Sequence, residues 1–152
     1  MALFTKSELA ILEKASAIYA RKLTKTPAFE NAELTKKYFQ MMLANKKREH
    51  FGVLYLNSQH QMIGKGMEVL FSGTVDSASV YPRIILQKAL KVNANAIFCV
   101  HNHPSGIAEP SQADIQITKR IIAALETCDI KLLDHFIVSV SGVTSLAQRG
   151  LL

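Results

Sequence analysis

The stretch Ala96-Ile-Phe-Cys-Val-His101-Asn-His103-Pro-Ser-Gly-Ile-Ala-Glu-Pro110-Ser111-Gln-Ala-Asp114 decides how this chain is read. Residues 96–101 are an apolar, β-prone run that reads as a buried central strand. The loop 102–110 carries two prolines and a glycine. Ser111 then opens a helix that runs to about Thr127. A strand end and a helix start joined by a loop meet at one edge of a sheet, where ligand sites tend to form. His101 and His103 are two apart, and strand side chains at i and i+2 project to the same side. Both imidazoles can therefore reach one ion, which needs them neutral. Asp114 is the natural third ligand. Two histidines and one carboxylate leave a position for water, as catalytic zinc sites do, and the ion lowers that water's pKa toward roughly 7. A second reading competes. Ser111-x-x-Asp114 also fits a helix cap, with the carboxylate at the positive end of the dipole. Cap and ligand roles can coexist.

Hydrolysis needs a general base as well. Glu49, Glu68, Glu109 and Glu126 are the candidates. Glu109 sits in the loop, where nothing fixes it. Glu126 is roughly three helical turns beyond Asp114. Glu49 leads a strand that can lie beside 96–101, and on its own it reads as an exposed strand-end carboxylate. Cys99 shares the strand face of His101; a small buried hydrophobe is the favoured reading, and a metal ligand is the outside alternative.

Outward from this stretch the periodicities predict a helix over 7–20 capped by Ser7, with Leu9, Ile11, Leu12, Ala15, Ile18 and Tyr19 as its apolar stripe. A linker covers 22–28. A second helix runs from about Asn31 to Ala44 and buries Leu34, Tyr38, Met41, Met42 and Leu43. Residues 49–56 read as a strand, 57–60 as a turn, and 61–71 as an antiparallel return with Gly64 and Gly66 as bulge or bend positions. That edge could pair with another chain. Gly73 and Asp76 mark a loop. A helix over 79–92 follows, with Pro82 in its first turn and Tyr81, Ile85, Ala89 and Val92 facing one way. Ile115, Thr118, Ile122 and Leu125 mark one face of the 111–127 helix, and Ile117 and Ile121 widen it enough to predict deep burial. Residues 130–140 form a strand, Ser141-Gly142 a hairpin turn, and 143–147 a short last strand. The mixture gives an α/β (α+β) fold, a mixed central sheet flanked by helices.

Length and composition agree with a single packed domain: 152 residues, 49% hydrophobic, with only 7 glycines and 4 prolines. No run approaches the roughly 18 apolar residues of a membrane helix. The N-terminus shows no secretion signal. Two cysteines make no disulfide framework. These features predict a reducing, cytoplasmic setting without a membrane partner. The net charge of +6 would favour acidic partners such as nucleic acid. Its densest patch, Lys46-Lys47-Arg48, is equally explained as a solvated helix end.

The motif His101-Asn-His103-Pro-Ser-Gly followed by Pro110-Ser111-x-x-Asp114 resembles the signature of the JAMM (MPN-plus) metalloprotease fold in its bacterial RadC form. So do Gly73-Thr-Val-Asp76-x-Ala78-Ser79-Val-Tyr-Pro82-Arg83, Leu133-Asp134-His135 and the ending Arg149-Gly-Leu-Leu. The resemblance covers about residues 30–152, leaving 1–29 as an N-terminal helical extension. It implies an MPN-type, cytidine-deaminase-like sandwich. It also implies zinc held by His101, His103 and Asp114, Glu49 as general base and Ser111 as oxyanion donor. The family often has an acidic residue after the Pro-Arg pair, where this chain has Ile84. Longer members resemble a fusion to a helix-hairpin-helix region, for which the first 30 residues here are too short. Three functions stand against one another. The first is a zinc hydrolase acting on a protein or peptide. The second is a DNA-associated protein whose binding weakens with salt. The third is a non-haem iron centre, since two histidines and a carboxylate also describe that triad.

Overall fold

The strand 96–102 and its two neighbours form the middle of the sheet, and the rest of the chain is arranged on either face of it. The structure is a computed structural model that describes residues 4–28, 30–73 and 79–152. Helices α1 (Lys6–Leu23), α2 (Ala32–Leu43), α3 (Pro82–Lys91) and α4 (Gln112–Glu126) accompany strands β1 (His50–Leu56), β2 (Glu68–Ser72), β3 (Ala96–Asn102), β4 (Lys131–Ser139) and β5 (Gly142–Ser145). The five strands lie in the order β2-β1-β3-β4-β5. β3 and β4 run parallel, with α4 as the crossover, and the other pairings are antiparallel. This is the expected mixed α/β sandwich.

Every residue of β3 is buried, as a strand covered on both faces must be. Phe98 and Val100 face one side with Leu54, Leu56, Phe136 and Val138, and pack on Leu23, Tyr38, Phe39 and Leu43 of α1 and α2. Ile97 and Cys99 face the other with Phe51, Val53 and Tyr55, and pack on Ile85, Ala89, Ile121 and Leu125 of α3 and α4. Each such side chain contributes roughly 1.5–3 kcal/mol relative to exposure. His101 sits two residues beyond Cys99. It therefore leaves the sheet on the α3/α4 face, at the end where the apolar core gives way to polar side chains.

Several boundaries differ from the sequence reading. Thr5, not Ser7, caps α1: its hydroxyl accepts from the Glu8 N–H while the Glu8 carboxylate accepts from the Thr5 N–H, a capping box. The α1 stripe is also rotated. Ser16, Ala20 and Leu23 are buried, whereas Leu9, Ile11 and Ile18 are exposed, because the helix meets its neighbours along the former row. On α2, Thr35 and Phe39 join Tyr38 and Leu43 inside, and Leu34, Met41 and Met42 are half-buried.

The antiparallel return is shorter than 61–71. Met62 makes only an isolated bridge to Leu56, and pairing resumes at Glu68. The reason lies in the two glycines. Gly64 has φ +86, and a Cβ on Gly66 would sit 2.6 Å from the Tyr38 hydroxyl. That hydroxyl accepts from the Met67 N–H, so the chain bends around it instead of pairing. α3 starts at Pro82, since the residue before a proline is held extended, as Tyr81 is at φ −113 and ψ 106. Tyr81 and Val92 are exposed, leaving Ile85 and Ala89 as its inward face. α4 covers the sheet with Asp114, Thr118, Ile121 and Leu125, while Ile115, Ile117 and Ile122 stay partly exposed. The final turn falls one residue earlier than expected, so β5 begins at Gly142. Asp76 lies outside the described residues.

Candidate functional site

At the C-terminal end of β3, ligand atoms of Glu49, His101, His103 and Asp114 all lie within 4.8 Å of one another. His101 is the penultimate residue of β3, His103 follows the strand, Asp114 is in the first turn of α4, and Glu49 immediately precedes β1. The parallel β3-α4-β4 crossover brings the first three together, and the β1–β3 pairing brings in the fourth.

Both sequence readings of Ser111-x-x-Asp114 hold at once. Ser111 is the N-cap of α4: its Oγ accepts from the Asp114 N–H at 3.1 Å, and Asp114 Oδ2 accepts from the Ser111 N–H at 2.7 Å. This fixes the carboxylate. Its oxygens meet His101 Nε2 at 3.1 Å and His103 Nε2 at 3.3 Å.

His103 is oriented from behind. Its Nδ1 lies 3.1 Å from the Ile107 carbonyl oxygen, which can only accept. Nδ1 therefore carries a proton, and in the neutral ring Nε2 faces the cluster with a lone pair. That Nε2 is 2.9 Å from His101 Nε2. Ligands held about 2.0–2.1 Å from a tetrahedral zinc lie roughly 3.3 Å apart. The ring-to-ring and ring-to-carboxylate distances fall close to that spacing, and two nitrogens with a carboxylate is the donor set such an ion prefers. The residues fit a divalent metal. Glu49 stands further out, with Oε1 4.0 Å from His101 Nε2, its side chain 13% exposed.

The other acidic candidates are engaged elsewhere. Glu68 accepts from Tyr55 and Lys88, Glu109 pairs with Arg149, and Glu126 is exposed at the far end of α4. Cys99 is fully buried among apolar side chains, and burial pushes its thiol far up, so it is a core residue and lies outside the cluster.

Residues 29–151 match the RadC-like JAB domain family. The chain belongs to that family. It is 47% identical to a UPF0758 protein of Methylibium petroleiphilum over 97% of this chain and 66% of that protein. It is 47% identical to one of Aliivibrio fischeri over 93% of this chain and 62% of that protein. It is 46% identical to one of Vibrio parahaemolyticus with the same coverage of each chain. The chain thus spans about two thirds of the length of these relatives or slightly less. Among the described residues of this RadC-like domain, no helix is long and apolar enough to cross a membrane.

Three residues of the site are not in the sequence reading as site residues. Asn102, between the two histidines, is 1% exposed. Its Oδ1 accepts from the His50 N–H and its Nδ2 donates to the Arg48 carbonyl, so it brackets Glu49 on both sides. His135 on β4 is fully buried and lies behind His101, with Nε2 2.9 Å from His101 Nδ1. Thr118 on α4 lies behind His135, with Oγ1 2.6 Å from Nδ1. Burial drives the His135 imidazole well below its usual value. The available signal was polarity out of place: Asn102, Thr118 and His135 each occupy a position that the surrounding pattern assigns to the core, and a buried polar group needs a partner.

Proposed function

We propose that this RadC-like domain is a metal-dependent hydrolase of peptide or isopeptide bonds, with zinc as the metal. The observation that carries this reading is the convergence of His101, His103 and Asp114, with Glu49 Oε1 4.0 Å from His101 Nε2. The ion, when bound, supplies Lewis acidity, which polarises the scissile carbonyl and acidifies water at the site. Glu49 accepts the proton from the attacking water and can return it to the leaving amine. Ser111 has its Oγ lone pair engaged by the Asp114 N–H, and its hydroxyl proton stays available to donate to the developing oxyanion. Asp114 and the two imidazoles hold the ion, and Asn102 holds the segment that carries Glu49. The pairing of a base with a ligand triad favours hydrolysis over an iron oxygenase centre.

The test uses untagged protein loaded with zinc. Glu49→Gln should keep one zinc per chain and lower turnover of an amide substrate by about 10²-fold or more, as loss of a general base does. His103→Ala should lose the metal. Parent protein with no stoichiometric zinc, or a Glu49→Gln variant as active as the parent, sinks the reading.

A second reading, association with DNA, draws support from one feature. Lys46, Lys47 and Arg48 are exposed directly before Glu49, and the charges of Lys46 and Arg48 add to burial in lowering the His50 imidazole. Binding through this patch would weaken steeply with salt. Duplex or single-stranded DNA that fails to bind at low ionic strength removes it.

A further inference from the structure

The chain of contacts behind His101 has a direction that can be worked out atom by atom. It ends on the Asp114 main-chain carbonyl, which has no hydrogen to give. Thr118 Oγ1 approaches that oxygen to 2.5 Å, a separation that requires a hydrogen between the two oxygens. The hydroxyl supplies it, and a hydroxyl has only one. Thr118 Oγ1 is also 2.6 Å from His135 Nδ1, so the hydrogen in that second contact comes from the ring. His135 is fully buried, which disfavours the charged ring, and the neutral ring has a single proton, here placed on Nδ1. Its Nε2 can therefore only accept, and the 2.9 Å contact to His101 Nδ1 requires that nitrogen to donate. The His101 lone pair is left on Nε2, the atom that faces His103 and Asp114.

We propose that Thr118 and His135 are positioning residues that form a one-way hydrogen-bond relay, Asp114 carbonyl to Thr118 to His135 to His101, fixing His101 as its Nδ1–H tautomer with Nε2 bare toward the ligand cluster. The proposal rests on the metal-site reading only for its purpose; the tautomer itself follows from the contacts. A free imidazole side chain prefers to keep its proton on Nε2. In that form His101 would donate to Asp114, and the proton would occupy the place of the ion. The relay removes this competitor without using charge. It also ties the two ligands together, since the helix turn that presents the Asp114 carboxylate presents, through its carbonyl, the far end of the relay. Phe51 closes the assembly. Its ring is stacked on His101 at 6.0 Å and 10°, and meets His135 edge-on at 5.3 Å. His103 reaches the same tautomer by a simpler route, through the Ile107 carbonyl. Two bare nitrogens 2.9 Å apart beside a carboxylate form a site arranged for a cation.

Two measurements test the relay. In the metal-free parent with ¹⁵N-labelled histidine, long-range proton–nitrogen correlation spectra should show His101 protonated on Nδ1; a majority of Nε2–H at His101 overturns the proposal. Zinc affinity, read by competition with a chromophoric chelator, gives the second measurement. Thr118→Val and His135→Asn, which break one link each, should weaken zinc binding about 10–100-fold, whereas His135→Gln, whose amide oxygen can take the place of Nε2, should stay within about threefold of the parent. Folded Thr118→Val and His135→Asn variants that bind zinc like the parent overturn the relay; if either fails to fold, the spectrum of the parent decides. A parent that takes up no zinc refutes the metal reading instead, and leaves the tautomer to be judged by its spectrum.

Discussion

Removing the Asn102 side chain should release the start of β1, and with it Glu49. In the parent, Asn102 Oδ1 accepts from the His50 N–H at 2.8 Å, and Nδ2 donates to the carbonyls of Arg48 at 3.0 Å and Lys46 at 3.4 Å. In Asn102→Ala the three partners fare differently. Lys46 and Arg48 are exposed, so their carbonyls can turn to water, while the half-buried His50 N–H is left short of an acceptor. An orphaned donor costs about 1–3 kcal/mol and each of the two rehydrated bonds about half a kcal/mol, which puts the total at about 2–4 kcal/mol. Urea unfolding measures that loss. Hydrogen exchange locates it: amides of residues 46–50 should exchange faster, while those of β3 and β4 keep their relative protection. Turnover by the proposed hydrolase should fall as well, with zinc content unchanged, because the variant moves the proposed base and leaves the proposed ligands. A loss below about 0.5 kcal/mol with unchanged exchange at 46–50 would refute the clamp.

Other outcomes follow from the same structure. Phe39 is fully buried and its ring meets Tyr38, Phe98 and Phe136, so Phe39→Ala should cost about 3–5 kcal/mol in chemical denaturation, a large share of a domain's stability. Burial, partly offset by hydrogen bonds from Ser145, Ala147 and His135, holds the Asp134 carboxyl above its ordinary value. A raised folded pKa means that the group's contribution to stability is complete below the unfolded value of about 3.9 and is lost as pH rises through the folded one. Asp134→Asn keeps an acceptor for both N–H groups, so its stability relative to the parent should improve from about pH 4 to pH 7 in thermal melts. Glu68 behaves with the opposite sign. Its hydrogen bond from Lys88 lowers its pKa, and its contribution is present above the unfolded value of about 4.3 and lost as pH falls through the folded one. Both side chains are over 40% exposed, so Glu68→Gln should cost under about 1 kcal/mol near neutral pH and nothing in acid.

Elements whose pattern had one explanation were legible in the sequence. β3 is a continuous apolar run because it is covered on both faces, and the candidate ligand set follows from it: an i, i+2 histidine pair, then a cap that places a carboxylate. Glu49 was one of four candidate bases in the sequence and only the resemblance singled it out, since a lone strand-leading glutamate does not show which later strand it will pair beside. Where several faces of a helix carry hydrophobes, the stripe could not be chosen. Ile11 and Ile18 on α1 point outward, and only the tertiary partner decides between them and the Ser16–Ala20–Leu23 row. The region 61–67 reads as a strand by composition, yet the Tyr38 hydroxyl under Gly66 and Met67 diverts it, a contact from another element. His135, Thr118 and Asn102 were visible as polar residues in apolar surroundings, but which partner each one satisfies depends on strand register and helix placement.

The most direct test of the central claim is a crystal structure of the untagged, zinc-loaded protein with anomalous data on either side of the zinc edge. A single strong anomalous peak should lie about 2.0–2.2 Å from His101 Nε2, His103 Nε2 and an Asp114 oxygen, with a water between it and Glu49. No peak there, or an ion held by other residues with these three left unbound, would contradict the account.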